Sequence, residues 1–89
     1  MVKWSIKYTK QVTVDSVKVK RAGLKKKVQR LLDLIAKNPY ATPPSFEKLL
    51  GFQNVYSRRI NIKHRLVYEI ITEEKTVKII SIWGHYDDN

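Results

Sequence analysis

At 89 residues the chain has room for one domain and is too short for two separate hydrophobic cores. It has no cysteine, which excludes disulfides and thiolate ligands, and its two histidines, His64 and His85, show no converging spacing with acids, so neither a metal site nor a cofactor is expected. Eighteen Lys and Arg against eight Asp and Glu give a net charge of +10, and the excess is lopsided: residues 1–65 hold sixteen basic and three acidic side chains, a balance of +13, whereas residues 66–89 hold two and five, a balance of −3.

The elements follow from periodicity. Residues 2–8 alternate Val2, Trp4, Ile6 and Tyr8 with polar residues, which predicts a half-buried strand. Residues 9–23 are ambiguous, because Val12, Val14, Val17 and Val19 favour strands while Val14, Val17, Lys18 and Arg21 also suit a helix. Gly23 marks a hinge, so a helical hairpin covering one sheet face is the expectation. Leu24, Val28, Leu31, Leu32 and Ile35 then fall on one helical stripe, and Asn38-Pro39 ends that helix. Its remaining surface is polar and mainly basic, with Lys25, Lys26, Lys27 and Arg30.

Three prolines within residues 39–45 predict a loop. Three strands are expected next, over residues 55–62, 65–72 and 76–83, the last two joined by the turn at residues 73–75. The result is an α+β fold: a twisted antiparallel sheet with an N-terminal strand, a helical hairpin on one face and a three-stranded C-terminal meander, all in one domain over residues 1–89.

The N-terminus has no continuous apolar run, and no stretch is apolar for the roughly 20 residues of a membrane span, so a cytoplasmic protein without membrane association is expected. A basic field concentrates polyanions and speeds their encounter, and in a cytoplasm that points first to nucleic acid; a merely soluble surface is the bland alternative. Alternation places Ser57, Arg59 and Asn61 on one face of the first meander strand and Tyr56, Arg58, Ile60 and Ile62 on the other, covered face. Arg65 shares the open face with Arg59, and His85 follows the end of the last strand. Arg58 is expected to decorate a sheet edge or pair with an acid, His64 to sit in a turn, and Trp4 and Trp83 to lie in the core.

An open basic face with an imidazole at its edge suits RNA cleavage, because each 2′-hydroxyl is an internal nucleophile beside its phosphate. Such a reaction requires a base, a cation and an acid, and no metal. Glu47, Arg65 and His85 are candidates for those roles. Spacing alone leaves each open to a plainer reading: a surface charge, a salt-bridge partner, a structural histidine.

The segment YSRRINIKHRLVYEI at residues 56–70, with FEKLLGF at residues 46–52 and WGHY at residues 83–86, resembles the YoeB/Txe branch of the RelE toxin superfamily. The likeness is close over the C-terminal half and rests on length, helix placement and charge over the N-terminal half. It implies a RelE-like fold and a toxin that cleaves mRNA in the ribosomal A site, inhibiting translation. It also implies a cognate acidic antitoxin, YefM/Axe-like, that wraps the toxin and blocks the site. By motif, Glu47 corresponds to the general base, Arg65 to the phosphate stabiliser, His85 to the general acid and Tyr86 to an aromatic that orients the phosphate or stacks on a base. Arg59 corresponds to a further contact to the RNA backbone, and the surface of Lys25, Lys26 and Lys27 would meet ribosomal RNA. After the His-Tyr pair the chain continues with Asp87, Asp88 and Asn89, which sets two carboxylates beside the proposed acid. The rival expectation is a basic module that blocks translation by occupying an RNA or ribosome site without cutting. Self-association into a homodimer is left open.

Overall fold

The computed structural model describes residues 3–43 and 45–85. Strand β1 (Ser5–Tyr8) leads into helices α1 (Lys10–Arg21) and α2 (Lys25–Lys37), followed by strands β2 (Phe46–Lys48), β3 (Val55–Arg59), β4 (His64–Ile71) and β5 (Thr76–His85). The sheet order is β1-β5-β4-β3-β2. The α+β class, the helical hairpin and the meander are therefore as expected. The sheet is corrected from antiparallel to mixed, because the helical hairpin carries the chain to the sheet's far side and β1 ends up beside β5 and parallel to it, with Ser5 opposite Thr76 and Tyr8 opposite Ile79. A short strand β2, not foreseen, extends the meander by pairing antiparallel with β3.

The ambiguous segment folds as helix α1 because tertiary burial outweighs the strand preference of its valines. Val12 and Val19 turn into the core, one apolar side at helical spacing, while Val14 and Val17 stay exposed. The turn into α2 is a Schellman motif: Gly23 adopts φ +73°, its N–H donates to the Lys20 carbonyl, and the Leu24 N–H donates to the Val19 carbonyl. Leu24 also packs beside the core that holds Val19, the apolar contact that accompanies this cap. Helix α2 buries Val28, Leu31 and Ile35, the stripe seen in the sequence.

Strand β4 is the centre of the molecule. Its residues alternate between buried and half-buried, with His64, Leu66, Tyr68 and Ile70 turned inward. The helices, Leu66, Tyr68, Ile70, Val77, Ile79 and Ile82 form one apolar cluster, while Trp4 and Trp83, expected inside the core, are half-buried and pack at its margin. Among the described residues no helix is long and apolar enough to cross a membrane.

Strict alternation fails on β5. The pairing with β4 shifts twice, from Tyr68 opposite Ile79 to Val67 opposite Ser81 and then to Arg65 opposite Gly84. Ile82, out of phase with Val77 and Ile79, is consequently buried in the same core rather than on the opposite face. The bulge is held from above by Asp15 of α1, which is 2% exposed. Its Oδ2 accepts hydrogen bonds from Ser81 Oγ at 2.9 Å and from the Ile82 N–H at 3.0 Å, while Oδ1 accepts from Gln11 Nε2 at 2.8 Å.

Removing that carboxylate strands a buried backbone N–H and a hydroxyl. Asp15→Ala is expected to cost about 2–3 kcal/mol, because hydrogen bonds to a charged group are the stronger kind. Thermal unfolding should show a fall in Tm of about 10 °C or more, with Asp15→Asn, which keeps an acceptor, falling between the variant and the native chain.

Candidate functional site

The outer edge of the sheet is built by a cross-strand pair. On its covered side Phe46 of β2 stands opposite Arg58 of β3; one residue along, on the other side, Glu47 stands opposite Ser57. The covered side explains why so short a strand forms. Arg58 is 1% exposed, so it does not decorate the sheet edge. Its Nε donates to Tyr68 Oη at 3.0 Å and its Nη2 to the Pro39 carbonyl at 3.0 Å, while Tyr68 Oη itself donates to the Pro39 carbonyl at 3.2 Å. The guanidinium also lies 4.9 Å from the centre of the Phe46 ring. Phe46 packs edge-on against Tyr56 and at a tilt against Tyr40, so the proline loop, β2, β3 and β4 share one aromatic and cationic knot. Burial pushes the Tyr68 hydroxyl above its usual pKa of 10.0, and the neighbouring Arg58 charge opposes that rise without cancelling it.

The open side carries the candidate chemistry. Arg65 of β4 stands opposite Arg59 of β3 and reaches diagonally, so that its Nη1 donates to Ser57 Oγ at 3.0 Å. Ser57 is thus the direct neighbour of Glu47 across one strand pair and the hydrogen-bond acceptor of Arg65 across the next. Gly84, at the far side of Arg65, leaves room for it: a Cβ there would lie 3.4 Å from Arg65 Cγ and 3.3 Å from the Arg65 carbonyl oxygen. Antiparallel β2 begins opposite Arg58, which leaves the edge of β3 beyond it uncovered. At that edge an open cleft of about 750 Å³ is lined by Glu47, Ser57 and Arg59, by Ile60 to Ile62 of the following turn, by Ser45, and by Lys27 from α2.

The structure thus brings Glu47, Ser57 and Arg59 to one cleft and joins Arg65 to it through Ser57. The backbone of His85 ends β5 opposite His64, next to the Gly84 that faces Arg65; the His85 side chain and Tyr86 lie outside the described residues. Of the three lysines opening α2, Lys27 lines the cleft, whereas Lys25 faces a groove between the two helices and Lys26 is exposed. Among the described residues no group of three or more acids and histidines is placed to hold a metal ion.

Three features escaped the pattern. Strand β3 stops at Arg59, because Asn61 Oδ1 accepts from the N–H groups of Lys63 and His64 and closes a turn, which leaves Ile62 82% exposed rather than covered. His64 is the first residue of β4, not a turn residue, and stacks on Trp83 with ring centres 3.7 Å apart. Ser57 carries a signal that alternation contained: a short hydroxyl flanked on its own face by Arg59 and, on the next strand, by Arg65.

The family profile described as YoeB-like toxin of bacterial type II toxin-antitoxin system matches residues 8–86. Comparison with curated proteins gave no match. Among solved structures, the chain is similar to a YoeB/ParE toxin from Agrobacterium tumefaciens, with 26% identity, coverage of 92% of this chain and 99% of that one, and a TM-score of 0.80. It is 32% identical to the toxin in a YoeB dimer from Staphylococcus aureus, with coverage of 93% and 98% and a TM-score of 0.78. The toxin in a YoeB-YefM complex from the same organism has the same identity and coverage, with a TM-score of 0.75.

The Arg58–Tyr68–Pro39 knot makes a prediction in pH. A tyrosine held neutral by burial adds stability that is complete below the unfolded-state pKa of about 10 and is lost as pH rises through the higher folded value. Tyr68→Phe should cost about 1–2 kcal/mol at neutral pH, through the acceptor that Arg58 loses. In urea denaturation the stability gap between the native chain and the variant should narrow from about pH 8 to about pH 11; a gap that widens would show that Tyr68 ionises more easily folded than unfolded.

Proposed function

Because the chain belongs to the YoeB-like toxins of bacterial type II toxin–antitoxin systems, we propose that it is an endoribonuclease that cleaves mRNA in the ribosomal A site and so arrests translation. The observation that carries this reading is the convergence on Ser57. Glu47 pairs with it across β2 and β3, and Arg65 donates to it at 3.0 Å, so a carboxylate and a guanidinium flank one small side chain on the floor of an open cleft.

In the proposed reaction the Glu47 carboxylate takes the proton of a ribose 2′-hydroxyl, whose oxygen attacks the adjacent phosphorus. Arg65 stabilises the negative charge that grows on the non-bridging oxygens of the phosphorane. His85, one residue beyond the Gly84 that faces Arg65, protonates the departing 5′-oxygen. One P–O bond forms and one breaks, which leaves a 2′,3′-cyclic phosphate on one fragment and a 5′-hydroxyl on the other. The nucleophile comes from the substrate and the proton transfers from side chains, so the scheme uses no metal or cofactor. Tyr86 orients the scissile phosphate or stacks on a base. Arg59 and the lysine run at the start of α2 supply attraction to RNA phosphates.

The same basic surface suits an acidic antitoxin, and the complex of the Staphylococcus aureus relative with YefM supports a partner of that kind, while the dimer of that relative supports self-association. Both partners compete for one electrostatic field.

Primer extension on translating ribosomes tests the chemistry. Arg65→Ala is expected to lose about a hundredfold or more in cleavage rate, and Glu47→Ala and His85→Ala about a hundredfold to ten-thousandfold, each variant remaining folded by circular dichroism. Bacterial growth should survive induction of each. Arrested translation with intact mRNA ends, unaltered in these variants, would replace the enzyme with a blocking module.

A further inference from the structure

The cleft does not stop at Arg59. A second recess of about 370 Å³ adjoins it, and the two share Lys27, Arg59 and Ile60 as a common wall. Beyond that wall the lining changes character: Leu31, Leu34 and Ile60 make an apolar floor, and Arg30 adds a third cation to the rim formed by Lys27 and Arg59. Three basic side chains gathered around one small apolar depression set up a local positive field that draws anions to it. The geometry follows from α2 itself. Lys27, Arg30, Leu31 and Leu34 recur at offsets of three and four residues, so they form one helical stripe facing the open edge of β3.

We propose that this recess is a nucleotide subsite: Lys27 and Arg59 hold the phosphate next to the scissile one, and the base of that nucleotide rests on Leu31, Leu34 and Ile60. The inference rests on the ribonuclease reading above and deepens it, since the recess opens into the cleft that holds Glu47 and Ser57. An anion with an apolar body attached is what such a lining recognises, and a nucleotide continuous with the RNA in the cleft supplies both parts. Lys27 is then a substrate-binding residue distinct from its neighbours Lys25 and Lys26, and its effect belongs to binding rather than to the chemical step.

The test uses ribosomes programmed with a short mRNA, either all-phosphate or carrying one neutral methylphosphonate at the linkage flanking the cut on either side. The native chain should cut the all-phosphate RNA more efficiently than the RNA neutralised on one side. Lys27→Ala should raise KM for the all-phosphate RNA about tenfold with kcat held, lower the salt slope of binding by about one, and no longer distinguish the two RNAs. Lys18→Ala, which removes a charge on α1 away from both recesses, should match the native chain. Full discrimination retained by Lys27→Ala, or equal KM for Lys27→Ala and Lys18→Ala, would overturn the subsite while leaving the catalytic reading intact. Failure of the native chain to cut either RNA would instead remove the ribonuclease reading and the subsite with it. Weakened binding of an acidic protein partner with unchanged RNA cutting would give the recess to that partner and overturn the proposal.

Discussion

The arrangement of the outer sheet depends on one buried guanidinium. Placing Arg58 at 1% exposure carries a desolvation cost of several kcal/mol, and it is tolerated because the surroundings are built around it. The Tyr68 hydroxyl and the Pro39 carbonyl accept its protons, and the Phe46 ring covers its face. These partners come from β4, from the loop after α2 and from β2, so satisfying one cation draws three separate stretches of chain together. A three-residue strand has too few ladder bonds to hold its own register. Here the cross-strand pair of Phe46 with Arg58 does so, and the register then sets Glu47 over Ser57 on the opposite face.

A second buried charge plays the matching part at the other side of the sheet. Asp15 reaches down from α1 to the β5 bulge and binds Ser81 and Ile82. Without the two register shifts near this point β5 would keep its original phase, and a different residue would stand opposite Arg65. With them, the side-chain-free Gly84 takes that place, and the Arg65 stem has the space to lie across the sheet toward Ser57. Both buried charges act from the covered face on the open one: Arg58 through the two-residue alternation of β2 and β3, and Asp15 through the bulge that shifts the phase of β5.

This division decides what could be read from the residues in order. The apolar stripe of α2 and the alternation of β4 were legible because local period and tertiary burial agree there. Helix α1 was half-legible: Gly23 marked its end, but its valines carry strand propensity, and only packing on β5 resolves the conflict. Strand β2 was illegible, since three residues after a proline run show no period. Arg58 was misread for a physical reason. Pattern analysis assigns arginine to the surface by default, and only the convergence of Tyr68, Pro39 and Phe46, up to twenty or so residues away in sequence, reverses that preference. The phase of Ile82 was hidden in the same manner, because the bulge is stapled by a carboxylate in the first helix. As for the candidate site, Glu47, Arg59 and Arg65 were found through motif and alternation, while Ser57, which joins them, was passed over as an ordinary polar strand residue.

Buried charges are seldom the cheapest way to stabilise a fold; well-packed apolar residues of similar volume often do as well or better. Their value here is in directing register. A hydrophobic strand sliding on its neighbour by one residue exchanges one apolar contact for another, whereas Arg58 and Asp15 are satisfied in a single arrangement and leave stranded polar groups in any other. In the proposed reaction the base sits on β2, the phosphate-stabilising cation on β4 and the acid at the end of β5, so a slip at either outer pairing would separate groups that must meet one phosphate. The two charges cost stability on the covered face and return it as alignment on the open one. That exchange accounts for the presence of ionised side chains in the core of so short a chain, and for their placement on either side of the strand that carries Arg65.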